Sequence, residues 1–82
     1  MTDAEVRRLF SSRVRSWLAG NGMTRYQLAA RMGVPWNTVH SWASGRSVPG
    51  YIRLRELAIA TGKPADWWLG LDGEVDGGRD GR

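Results

Sequence analysis

The sequence predicts a small all-α domain of five short helices, and three observations carry that prediction. Apolar residues recur at three- and four-residue steps through roughly the first seventy positions. Helix-start signals, Thr or Pro at the right offset, alternate with glycine-bearing stops. No stretch alternates apolar and polar residues as a half-buried strand would.

Residues 2–19 form the first expected helix. Thr2 and Glu5 make the S/T-x-x-E capping box, in which two orphan backbone N–H groups are satisfied reciprocally. Val6, Leu9, Phe10, Val14, Trp17 and Leu18 lie on one stripe, with Arg7, Arg8, Arg13 and Arg15 off it. Gly20-Asn21-Gly22 stops the helix, because Gly and Asn tolerate the left-handed turn at a helix end. Thr24 and Gln27 form a second capping box, heading a short helix whose inner face is Leu28, Ala29 and Met32. Gly33-Val34 breaks it, and Pro35 suits the first turn of a third helix running to about Ser44. Val39 and Trp42 face inward on that helix. Gly45 ends it, and residues 46–50 form a loop. A fourth helix over 51–61 turns Leu54, Leu57 and Ala58 inward, and Thr61-Gly62-Lys63 closes it. Pro64 opens a short fifth helix through Leu69. From Gly70 onward the chain is Gly-rich and acidic with almost nothing to bury. The expected organisation is therefore one domain over 1–70 and a disordered tail over 71–82.

Composition removes several function classes. There is no cysteine, hence neither a disulfide framework nor a thiolate zinc site. No run approaches the ~18 apolar residues of a membrane span, and no secretory signal is visible, so the cytoplasm is expected. His40 is the only histidine, and no carboxylate lies between Glu5 and Glu56. A local metal site or catalytic triad is not expected, nor a phosphate loop, an enzymatic activity, a cofactor or a small-molecule ligand.

Charge points to a partner. The net charge is only +4, yet residues 6–55 hold nine arginines and no acid. The tail reverses the sign with Asp72, Glu74, Asp76 and Asp80. A solvated surface from a GC-rich genome explains Arg over Lys but not fifty residues without a carboxylate. A polyanion, nucleic acid, explains both.

Residues 24–45 give that partner a form. Two short helices joined at Gly33-Val34 can pack steeply, so that the second protrudes into a major groove. Ala29 supplies the small residue at the closest approach, while Val34 and Val39 fill the space between the helices. The stretch MTRYQLAARMGVPWNTVHSWASGR, residues 23–46, resembles the helix-turn-helix of lambda-repressor/Cro-like, Xre-type regulators. The likeness extends over about residues 7–70, through Pro49, Leu54-x-x-Leu57-Ala58 and Asp66-Trp67-Trp68-Leu69-Gly70. It implies a compact five-helix lambda-repressor-like fold, with helices 2 and 3 as the helix-turn-helix, that binds double-stranded DNA.

The resemblance also implies roles. Trp36 and Asn37 fall where such proteins present base-reading side chains, and His40 and Ser41 follow one turn on. Asn37 has merit of its own, because a carboxamide pairs bidentately with adenine N6 and N7. Trp36 departs from the polar residue usual there; it offers an apolar contact to a thymine methyl or to the sugar–phosphate wall. Thr24, Arg25 and the second helix's N-terminus match the backbone clamp, although Gln is commoner than Arg at position 25. Ser44 and Arg46 match the loop clamp, where Asn is commoner than Ser. Arg13, Arg15 and Arg53 extend the phosphate footprint, which sets register and salt-dependent affinity. Leu18 and Ala43 stand where some relatives bury an Arg–Glu pair, a joint replacement that avoids desolvating two charges.

Trp17, Trp42 and at least one of Trp67 and Trp68 read as core, whereas Trp36 falls on the exposed side of its helix. Tyr51 fits a core edge, a dimer contact or a phosphate contact. Trp67 and Leu71, in an end segment apolar enough to associate, are candidates for a two-fold dimer interface. The expected function is a phage or prophage repressor of the Cro or immunity kind, binding a palindromic operator as a homodimer. Without the self-cleaving oligomerisation domain of the larger repressors, a Cro-like or stand-alone regulator is favoured; a piece of a longer chain would read the same. Two alternatives stay open. One is an antitoxin that neutralises a protein toxin and autoregulates its operon, although residues 71–82 offer only Leu71 and Val75 as apolar anchors. The other is non-specific nucleic-acid binding, which the polar cluster Asn37, His40 and Ser41 disfavours.

Overall fold

The computed structural model describes residues 2–71. They form five α-helices and, among the described residues, no strand: α1 (Asp3–Gly20), α2 (Arg25–Met32), α3 (Trp36–Ala43), α4 (Tyr51–Thr61) and α5 (Ala65–Leu69). The all-α, five-helix expectation is met, with boundaries within about one residue. The expected disorder of the tail concerns residues 72–82, which lie outside the described part.

Local chemistry explains the helix ends. Both capping boxes form: Glu5 N donates to Thr2 Oγ1 at 3.2 Å and Thr2 N to Glu5 Oε1 at 2.7 Å. The equivalent pair at Thr24 and Gln27 measures 3.1 and 2.9 Å. Pro35 and Pro64 stand one place outside their helices, with extended ψ of 149° and 157°. Their fixed φ suits either position, and Trp36 and Ala65 become the first helical residues. α1 runs through Gly20 to an Asn21 cap, and Gly22 rather than Asn21 takes the left-handed turn, at φ 58°. At the end of α2, Gly33 N donates to Ala30 O and Val34 N to Ala29 O, a paired closure that requires the left-handed φ of 72° at Gly33. The ends of α1, α3 and α5 repeat this pairing, for example Arg46 N to Ser41 O at 3.0 Å.

α3 packs against both α1 and α2, α5 lies on α1, and α4 touches α2 and α5. The core consists of Phe10, Val14, Trp17 and Leu18 from α1, Leu28 and Ala29 from α2, Val34 from the turn, Val39, Trp42 and Ala43 from α3, Leu57 and Trp68. Phe10 joins the layers, edge-on to Trp42 at 6.0 Å and tilted against Trp68 at 5.8 Å. Full burial of such a ring stabilises a fold by about 1.5–3 kcal/mol. Met32 and Leu54 are half-buried against this core, as is Trp67. Gly70 ends α5 where a Cβ would lie 2.1 Å from Leu9 Cδ2, so glycine lets the chain end close onto α1.

This frame fixes α3. Leu18 on α1 and Ala43 on α3 are both buried in the apolar core. Polar ties are added beside it. Ser11 Oγ donates to Ala43 O at 2.7 Å, and Arg15 Nη1 donates to the same carbonyl at 2.7 Å and to Ser11 Oγ. A cation on the last carbonyls of a helix is also favoured by the helix dipole. The recognition-helix candidate is thereby anchored at its C-terminal end.

Candidate nucleic-acid interface

α2, the Gly33-Val34 turn and α3 form a helix-turn-helix unit. Ala29, Val34 and Val39 are all buried, filling the space assigned to them. Outside that seam α3 presents two rows spaced by one turn. Asn37 and Ser41 form one row, Asn37 exposed and Ser41 half-buried; Trp36 and His40, both half-buried, form the other. The Asn37 carboxamide is unpartnered among the described residues.

Thr24 and Arg25 stand at the head of α2. Thr24 Oγ1 accepts from Gln27 N, which leaves its hydroxyl hydrogen to donate elsewhere. The first turn of α2 contains no acid, so its positive end is uncompensated within the helix. Arg25 Nη1 lies 2.7 Å from His40 Nδ1. A guanidinium can only donate, so Nδ1 is the acceptor and the ring proton sits on Nε2. At the other end of α3, Ser44 Oγ donates to Ser41 O at 3.2 Å, Gly45 turns at φ 83°, and Arg46 is exposed without a side-chain partner among the described residues. Arg15, through its bond to Ala43, adds a second cation near that end. Arg25 thus touches α3 at His40 and Arg15 touches it at Ala43, both in its C-terminal half, while Thr24 caps α2 and Ser44 and Arg46 follow α3.

The two remaining phosphate candidates lie on α1 and α4. Arg13 stands over the Trp67 ring at 4.7 Å, with the Lys63 ammonium at 4.9 Å from the same ring. Arg53 pairs with Glu56 at 2.7 Å on the exposed side of α4, a surface ion pair of the kind worth about 0–1 kcal/mol. Trp67 is half-buried beneath its two cations, and Leu71 is exposed.

One residue in contact with these candidates is absent from the sequence-based set. Tyr26, 67% exposed, stacks on Trp36 with centroids 5.3 Å apart and planes at 22°. Trp36 stacks in turn on His40 at 4.4 Å and 18°. Trp36 is therefore half-buried in a three-ring stack, not free on an exposed helix side as expected. The signal was present as two aromatics flanking one turn, Tyr26 in the first turn of α2 and Trp36 opening α3.

No group of His, Cys, Asp or Glu among the described residues is arranged to hold a metal ion, and no helix there is long and apolar enough to cross a membrane. A model of the helix-turn-helix family matches residues 14–68. The chain belongs to this helix-turn-helix family. It is of the Xre/lambda-repressor-like type that the resemblance of residues 23–46 implied, and thus a DNA-binding transcription regulator. No curated protein and no solved structure matches the chain. In this helix-turn-helix protein α2 and α3 are the two helices of the motif.

Proposed function

We propose that the protein is a sequence-specific repressor that binds a palindromic operator as a homodimer and blocks RNA polymerase, in the manner of a phage or prophage Cro-type regulator acting on the bacterial nucleoid. The observation that carries this reading is the exposed carboxamide of Asn37 on α3, without a partner among the described residues, on a helix that Arg25 and Arg15 touch at His40 and Ala43. A carboxamide discriminates adenine by paired hydrogen bonds, whereas the cations bind any sequence. Asn37 and Ser41 read bases, with Trp36 and His40 beside them. Thr24, Arg25, Ser44, Arg46 and Arg15 hold the phosphates, and Arg13 and Arg53 extend the footprint. Residues 1–70 act as the binding domain, with 71–82 as an appendage. Two copies joined around Trp67 and Leu71 would match half-sites about one helical turn apart.

Selection of bound duplexes from a random pool at near-physiological salt tests this reading. Enrichment of a palindrome with half-sites about one turn apart supports it. A pool that binds but stays flat refutes sequence-specific regulation.

A second reading, an antitoxin-like protein binder, has one observation in its favour. A groove of about 460 Å³ between α2 and α4 is lined by Arg31, Met32, Glu56, Ile59 and Ala60. Ile59 is exposed, as is Ile52 on the same helix. A toxin would be expected to protect this groove from solvent, which hydrogen exchange on a complex measures.

A further inference from the structure

We propose that the Tyr26–Trp36–His40 stack is a specificity-determining surface that receives the 5-methyl group of a thymine next to the base pair read by Asn37. This rests on the assignment of α3 as the recognition helix. Three observations lead to it.

The first is position. Tyr26 follows Arg25 in the chain, and Trp36 precedes Asn37. The stack is therefore built from the chain neighbours of the proposed phosphate contact Arg25 and the proposed base reader Asn37.

The second is rigidity. Trp36 is held against Tyr26 at 5.3 Å and His40 at 4.4 Å, and His40 is held in turn by Arg25 at 2.7 Å. Two helices contribute to one unit, Arg25 and Tyr26 from α2, Trp36 and His40 from α3. A ring fixed in this way does not swing out to lie on a sugar or stack on an extruded base. Arg25, tethered by one of its five donors, keeps others for the adjoining phosphate, so the sugar–phosphate wall is served by a different residue.

The third is chemistry. In the major groove each base pair offers donors and acceptors, and A·T pairs offer in addition one apolar group, the thymine methyl. An aromatic surface set against polar base edges strips them of water without replacing their hydrogen bonds. Against a methyl it buries apolar area on both sides. The stack selects thymine over cytosine by this difference and also distinguishes thymine from uracil.

The test uses the full chain and the operator obtained by selection. Each thymine of the half-site is replaced in turn by deoxyuridine, which deletes only the methyl group. Wild-type protein is expected to bind about fourfold more weakly at one position per half-site, the equivalent of one lost buried carbon. In Trp36→Gln that particular penalty disappears. Tyr26→Ala, at a residue exposed enough to leave folding intact, is expected to reduce the penalty and serves where Trp36→Gln binds too weakly to read. Unfolding curves for both variants check the fold. Deoxyuridine that is neutral everywhere, a penalty undiminished in both variants, or an operator without thymine beside the Asn37 base pair each overturn the proposal while leaving the regulator reading standing. A random pool that stays flat overturns both.

Discussion

At the residue scale, the proposed interface separates side chains that read the sequence from those that do not. Asn37 offers a donor and an acceptor in fixed relation; Arg46 offers charge and donors without discrimination. Arg46 is exposed and makes no competing ion pair among the described residues, so its charge is available to a phosphate. Arg46→Ala is therefore expected to weaken binding to operator and random DNA alike and to lower the slope of log K against log salt by about one unit. Titrations at four salt concentrations on both duplexes measure this. Arg25 and Arg15 behave differently, because His40 and Ala43 already hold them. Each is pre-oriented, so less side-chain freedom is lost when DNA arrives.

At the element scale, the helix ends were the most legible part of the sequence. A capping box needs only residues three apart, and a left-handed closure only a glycine or asparagine, so Thr2, Thr24, Gly33 and Gly45 could be placed from local chemistry alone. The apolar stripe of α1 was equally plain, since Phe10, Val14 and Trp17 recur with the helical period. What stayed hidden depends on how elements cross. Nothing local in Tyr26, Trp36 and His40 says that three rings from two helices will stack, or that Arg25 will reach the imidazole. Arg15 likewise reads as a surface cation until α1 is laid against the end of α3. The Thr2–Glu5 cap also makes a pH prediction. Glu5 accepts the Thr2 backbone N–H, and this, with the Thr2 hydroxyl contact and the Arg8 charge, holds its carboxyl below the ordinary value of 4.5. A depressed folded-state pKa contributes stability that is present above the ordinary value and lost as pH falls through the folded one. Glu5→Gln keeps an amide oxygen for the cap but does not titrate. Melting temperature plotted against pH below about 4.5 is expected to fall less steeply for Glu5→Gln than for wild type.

At the scale of the whole molecule, the charge pattern and the packing serve one arrangement. Fifty residues without a carboxylate leave the helix-turn-helix unit free of internal repulsion toward phosphate. The aromatic core around Phe10, Trp42 and Trp68, with the Ser11 and Arg15 bonds to Ala43, holds α3 in place. If Leu71 joins two copies on DNA, Leu71→Asp should leave unfolding curves nearly unchanged, because the side chain is 67% exposed. It should weaken binding to a two-half-site duplex by tenfold or more in affinity, about 1.4 kcal/mol, while sparing the affinity for an isolated half-site. Equal behaviour on the two duplexes would remove Leu71 from the interface.

If α3 reads bases through Asn37 as proposed, selection with Asn37→Ala beside wild type will reveal it. Both proteins are expected to enrich the same palindrome except at one position in each half-site, where the variant loses about 1–3 kcal/mol of discrimination. Equal weakening on operator and random DNA, with every position still specified, would contradict it.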